Sequence, residues 1–98
     1  MTYNILNDKK RWDDIMADTA AIGNAIAQLR RAMHLTQQSL AAFLYVSHQA
    51  VSKWEHGVAL PDIMTLYAMC RLFGVTMEQL ITSDIAERLH AIRLQAAY

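Results

Sequence analysis

The sequence predicts an all-α protein: a five-helix domain with one further amphipathic helix at each end. Three observations predict it. Apolar residues recur at steps of three and four, and no stretch alternates as a strand would. Hydroxyl, Asp and Gly residues fall where helices of ordinary length would begin and end. The connections left between those helices are about two to five residues long, which forces neighbours to pack as a bundle.

The elements follow in order. Residues 8–18 hold Trp12, Ile15 and Met16 at helical spacing and form the N-terminal flank. Ile22, Ile26, Leu29 and Met33 share one face of a first helix from Ile22 to Met33. The same three-and-four rhythm runs back through Thr19, Ile15 and Trp12, so the two could be one helix. Asp18 or Thr19 can cap a new helix, however, and a break there is preferred. His34-Leu35 interrupts the pattern, and Thr36 caps a second helix, Gln37 to Leu44. Ser47 caps a third that continues through His56 and is stopped by Gly57. Pro61-Asp62 opens a fourth, Asp62 to Phe73, closed by Gly74. Thr76 caps a short fifth from Met77 to about Thr82. The C-terminal flank, 84–97, places Ile85, Leu89, Ile92 and Ala96 on one stripe. The resulting division is 1–18, 19–83 and 84–98.

Composition narrows the function classes. The 98 residues suit one domain, and 54% of them are apolar, a high share that implies a dense core or a face kept for a partner. No apolar run is as long as the ~18 residues a membrane span needs, and the start of the chain is polar rather than a signal peptide. The single cysteine, Cys70, excludes an internal disulfide and suits a reducing cytoplasm. Cys70 shares a helix face with Leu66, Met69 and Phe73 and reads as a small buried hydrophobe. His34, His48, His56 and His90 show no zinc-ligand spacing with it. A glycine-rich phosphate loop and a nucleophile with its base are both missing, so neither enzyme nor cofactor is expected. Net charge is zero, and residues 19–83 carry only one surplus cation, so charge alone does not point to nucleic acid.

Pattern does. The stretch from Thr36 to Gly57 reads as helix, three-residue turn, helix. Leu40, Leu44, Val46, Val51 and Trp54 form its apolar seam, and Ala41 is small where the two helices would cross. A rigid pair of this kind can hold its second helix out into a major groove. Leu35-Thr36-Gln37, Leu40-Ala41, Val46-Ser47 and Ser52-Lys53-Trp54-Glu55-His56-Gly57 resemble the Cro/repressor-type, xenobiotic-response-element-like helix-turn-helix family. The likeness continues through Pro61-Asp62, Leu66, Phe73-Gly74-Val75 and Glu78-Gln79-Leu80-Ile81, and covers about Ile22 to Ile81. The family often has Gly where this chain has His34 and Tyr45. A positive φ at Tyr45 would bring the strain of an uncommon backbone state.

The resemblance implies a repressor-like DNA-binding fold and gives residues their roles. Gln37 would contact a phosphate from the start of the second helix, and Ser47 would donate to phosphate as well as cap. His48, Gln49 and Lys53 would face base edges, Gln suiting adenine and Lys guanine, with Ser52 a fainter member of the set. Arg30 and Glu55 resemble the family's structural ion pair. Trp54 reads as core, not as a stacking platform.

The expected function is a sequence-specific double-stranded DNA-binding regulator of transcription, a repressor acting as a homodimer on a palindromic operator, with room for a protein partner. The dimer contact is expected from a flank, the 84–98 stripe before the Trp12, Ile15, Met16 stripe. Two alternatives stand beside it: the antitoxin of a toxin–antitoxin pair, and an interaction module that has lost DNA binding.

Overall fold

The computed structural model describes residues 18–96, so the N-terminal stripe of Trp12, Ile15 and Met16 lies outside the described residues. Six helices follow one another: α1 Thr19–Ala32, α2 Gln37–Leu44, α3 His48–Glu55, α4 Ile63–Phe73, α5 Met77–Thr82 and α6 Ala86–Ala96. The architecture is all-helical. Among the described residues, no helix is long and apolar enough to cross a membrane.

Each of the first five helices begins where a short polar side chain can satisfy a free amide. Asp18, Thr36, Ser47, Asp62 and Thr76 accept from the backbone N–H groups of Ala21, Ser39, Ala50, Thr65 and Gln79. At Thr36 and Thr76 the third helical residue answers by accepting the cap's own N–H, which closes a reciprocal box. Asp18 is not helical (φ −83°, ψ 84°), so α1 starts at Thr19.

α1 is the central element and packs against α3, α5 and α6, while α2 and α3 pack on each other and α4 on α2 and α5. Ile26, Leu29, Leu40, Val51, Met69, Phe73 and Leu80 are completely buried at the centre of the core. Cys70 is buried among them, and burial pushes its thiol above the ordinary value.

The C-terminal stripe has a different use from the one expected. Ile85, Leu89 and Ile92 are buried in the same core as Ile26 and Phe73, and are not offered to a partner. α6 lies against α1, and Arg88 Nε donates to the Phe73 carbonyl at 2.7 Å, tying α6 to the end of α4. Covering three large aliphatic side chains is worth roughly 5 kcal/mol as an upper estimate. A single chain thus has ample reason to keep this helix for itself.

Tyr45 closes α2 in the left-handed region (φ 58°, ψ 40°) with its side chain 97% exposed. Its N–H and that of Val46 still satisfy carbonyls at the end of α2, so the turn is formed at a conformational cost. Tyr45→Gly removes that cost and loses no packing. We expect it to raise unfolding stability by about 1 kcal/mol, read as a higher urea midpoint at unchanged slope. An unchanged or lower midpoint would show that Tyr45 carries no strain.

Candidate nucleic-acid interface

α3 divides into two sides. Val51 and Trp54 face inward and are buried, while Ser47, His48, Gln49 and Lys53 are exposed. Ser52 is half-buried, 3.5 Å from His56 Nδ1; that ring nitrogen lies 2.7 Å from the Ser52 carbonyl, to which it must donate. Steps of three and four on an eight-residue helix produce this split, so the inward pair fixes which residues point out.

The helix is held at both ends. At its C-terminal end Glu55 receives two hydrogen bonds from Arg30, from Nε at 2.7 Å and from an Nη at 2.9 Å. The other Nη of Arg30 donates to the Leu35 carbonyl at 2.8 Å, so one guanidinium joins α1, the α1–α2 loop and α3. Glu55 also accepts from Gln37 Nε2 at 3.0 Å, and Gln37 Oε1 lies 3.0 Å from His48 Nε2 at the other end of α3. Chemistry fixes the direction of every link. A carboxylate can only accept, so Gln37 turns its NH2 to Glu55 and its carbonyl oxygen to His48. His48 must then carry a proton on Nε2. Burial by itself would raise the Glu55 carboxyl, but the hydrogen bonds from Arg30 and Gln37, with the charges of Arg30 and Arg31, outweigh it and hold the group below its ordinary value.

Close backbone approach completes the frame. A Cβ at Gly23 would stand 2.1 Å from the Trp54 carbonyl oxygen and 3.0 Å from that of Glu55. α1 and α3 therefore touch main chain to main chain. The surface so assembled is a short, rigid helix with amide, imidazole, hydroxyl and ammonium groups on its free side. These are groups that hydrogen-bond base edges and phosphates. Among the described residues, no cluster of His, Cys, Asp and Glu could hold a metal ion.

The helix-turn-helix family profile matches residues 26–80, more than half of the chain. The chain belongs to the Cro/C1-type helix-turn-helix family. It is 41% identical over 59 residues to the HTH-type transcriptional activator BcrR of Enterococcus faecalis, covering 60% of this chain and 29% of that protein. It is 36% identical over 61 residues to the HTH-type transcriptional regulator y4dJ of Sinorhizobium fredii, covering 62% of this chain and 79% of that one. The crystal structure of the clp gene regulator ClgR from Corynebacterium glutamicum is similar in fold, with a TM-score of 0.59 and 25% identity. That match covers 81% of this chain and 80% of ClgR.

In this helix-turn-helix protein the structure brings the residues singled out in the sequence into two groups. Ser47, His48, Gln49 and Lys53 line the free side of α3, with Ser52 at its edge. Arg30, Glu55 and Gln37 belong to the supporting network instead, although Gln37 keeps one amide hydrogen for an outside acceptor. Ser47 spends its oxygen on the Ala50 N–H and retains its own hydroxyl hydrogen as a donor. Two features escape a reading by spacing alone. One is the chain of contacts from Glu55 through Gln37 to His48, which joins residues 18 and 11 positions apart. The other is Gly23, whose only signal is a glycine kept inside a helix, where Ala would favour helix formation by about 1 kcal/mol.

Proposed function

We propose that this protein is a sequence-specific double-stranded DNA-binding regulator of transcription. It acts as a homodimer on a palindromic operator and represses by occupying it. The observation that carries the reading is the free side of α3, where His48, Gln49 and Lys53 stand exposed on a helix clamped at both ends by the Arg30–Glu55–Gln37–His48 chain. Base readout depends on donors held to a fraction of an ångström, and a clamped helix meets that need. Gln49 suits the N6/N7 edge of adenine and Lys53 the O6/N7 edge of guanine. Ser47 and the spare amide hydrogen of Gln37 supply phosphate contacts. With zero net charge, long-range attraction to DNA is weak, so a larger share of the affinity falls to these short-range contacts.

The test begins by selecting bound sequences from random duplex DNA. Gln49→Ala and Lys53→Ala should each cost roughly 1–3 kcal/mol on the selected site and little on random DNA. Gln37→Ala should weaken binding on all sequences through the lost phosphate contact, and somewhat more on the selected site because it also cuts the link from Glu55 to His48. Equal losses on selected and random DNA for Gln49 and Lys53 would rule out base readout by α3.

A further inference from the structure

α4 is apolar on both of its sides. Of its 11 residues only Thr65 and Arg71 lack an apolar body, and only the side bearing Met69, Cys70 and Phe73 is buried. A helix that is hydrophobic all round is normally enclosed all round. Here Leu60, Ile63, Met64 and Tyr67 follow one another at steps of three, one and three on the outer side, with Val58 just before them. All five are between 48% and 72% exposed. Together they present roughly 500 Å² of apolar surface, towards the upper end of the largest patch found on an ordinary monomer.

We propose that this outer face of α4 is where a second copy of the chain docks, the two α4 helices crossing antiparallel about a two-fold axis. The inference rests on the homodimer reading above and gives that dimer its interface. Two observations select a copy of the chain as the occupant. The first is area: two such patches face to face bury on the order of 1,000 Å², about the least a specific interface requires. The second is charge. Asp62 stands exposed at the N-terminal end of the patch and Arg71 exposed at its C-terminal end, with an Arg71 Nη 3.2 Å from the Tyr67 hydroxyl and the guanidinium 5.8 Å from the ring centre. An antiparallel pair sets each Asp62 beside the partner's opposite charge twice over, and opposes the helix dipoles. A parallel pair would set like against like. DNA is a poor occupant, since an apolar face offers phosphates nothing. The position also suits the proposed function, because the patch follows α3 in the chain and would join two reading helices close to their C-terminal ends.

Sedimentation of the full chain without DNA tests this over about a hundredfold range of concentration. We expect the wild type to be dimeric. Met64→Glu should be monomeric, weakening association at least tenfold, with unchanged helical signal because Met64 is not in the core. Its unfolding midpoint should match that of wild type diluted to monomer and, unlike the wild-type midpoint, should not rise with concentration. Arg71→Glu should weaken the dimer severalfold by facing the partner's acidic end. Binding to a half-site duplex separates this idea from the one beneath it: monomeric Met64→Glu should keep its Gln49-dependent sequence preference there. If Met64→Glu breaks the dimer but no duplex is bound by any form, the interface stands and the DNA reading falls. A wild type and Met64→Glu that are equally dimeric would overturn the interface and leave the homodimer. A wild type that stays monomeric, its outer α4 face covered by residues 1–17 or left bare, and that loads onto the operator without cooperativity would overturn both.

Discussion

Gly23→Ala is expected to destabilise the fold by about 2 kcal/mol and to lower DNA affinity at the same time. Two effects oppose each other at this site. Within a helix Ala is favoured over Gly by about 1 kcal/mol, so an unconstrained position would gain stability. Here the added methyl would lie 2.1 Å from the Trp54 carbonyl oxygen and 3.0 Å from the Glu55 carbonyl oxygen. Both are main-chain atoms at the end of α3, and no rotamer change can move them aside. α1 and α3 would have to separate by more than an ångström, and overpacking of this kind costs 1–3 kcal/mol and sometimes more. Separation also stretches the 2.7 Å and 2.9 Å contacts between Arg30 and Glu55, which adds to the loss. The clash outweighs the propensity gain. A urea titration would read the lower midpoint, and the selected operator would read the weaker binding. A more stable Gly23→Ala would mean that the main chains do not meet at that distance.

Position 23 also shows where sequence reading stops. Helix starts were legible because a cap is local: Thr36, Ser47 and Thr76 are each followed three residues later by the amide they satisfy. The inward side of the helix pair was legible for the same reason, since Val51 and Trp54 declare a face by their spacing. Periodicity says that a residue will be covered, but not by what. The stripe of Ile85, Leu89 and Ile92 therefore read as a surface for another molecule, and α1 covers it within the chain. Conversely, Ile63, Met64 and Tyr67 belong to a helix so apolar that its outer side carries no contrast, and their exposure is visible only once α4 is in place. Contacts between distant positions are harder still. The family resemblance supplied Arg30 and Glu55, but that Gln37 lies between Glu55 and His48 depends on the angle at which α2 crosses α3, which no local signal encodes.

The second large effect is expected at Arg30 and Glu55. Their side chains are only 10% and 5% exposed, so neither charge has water to fall back on. Truncating one strands the other, and we expect Arg30→Ala and Glu55→Ala each to cost about 3–5 kcal/mol. The double variant should be less destabilised than the sum of the two, by a coupling of about 1–3 kcal/mol, because the second truncation removes a charge already left unpaired. Additive losses would show that the two side chains act independently. The pair also ties stability to acid. The folded Glu55 carboxyl is held below its ordinary value of 4.5, so the folded state takes up its proton less readily than the unfolded chain. Its contribution is therefore complete above the unfolded value and is lost as pH falls from there through the folded value. Glu55→Gln should remove that part of the acid dependence while keeping the side chain's shape, and a wild-type-like acid midpoint in Glu55→Gln would place the sensitive carboxylate elsewhere. Function should follow the same curve. Once Glu55 is protonated, the charge-assisted hydrogen bonds it accepts from Arg30 and Gln37 are weakened, and the C-terminal end of α3 loses its firmest support.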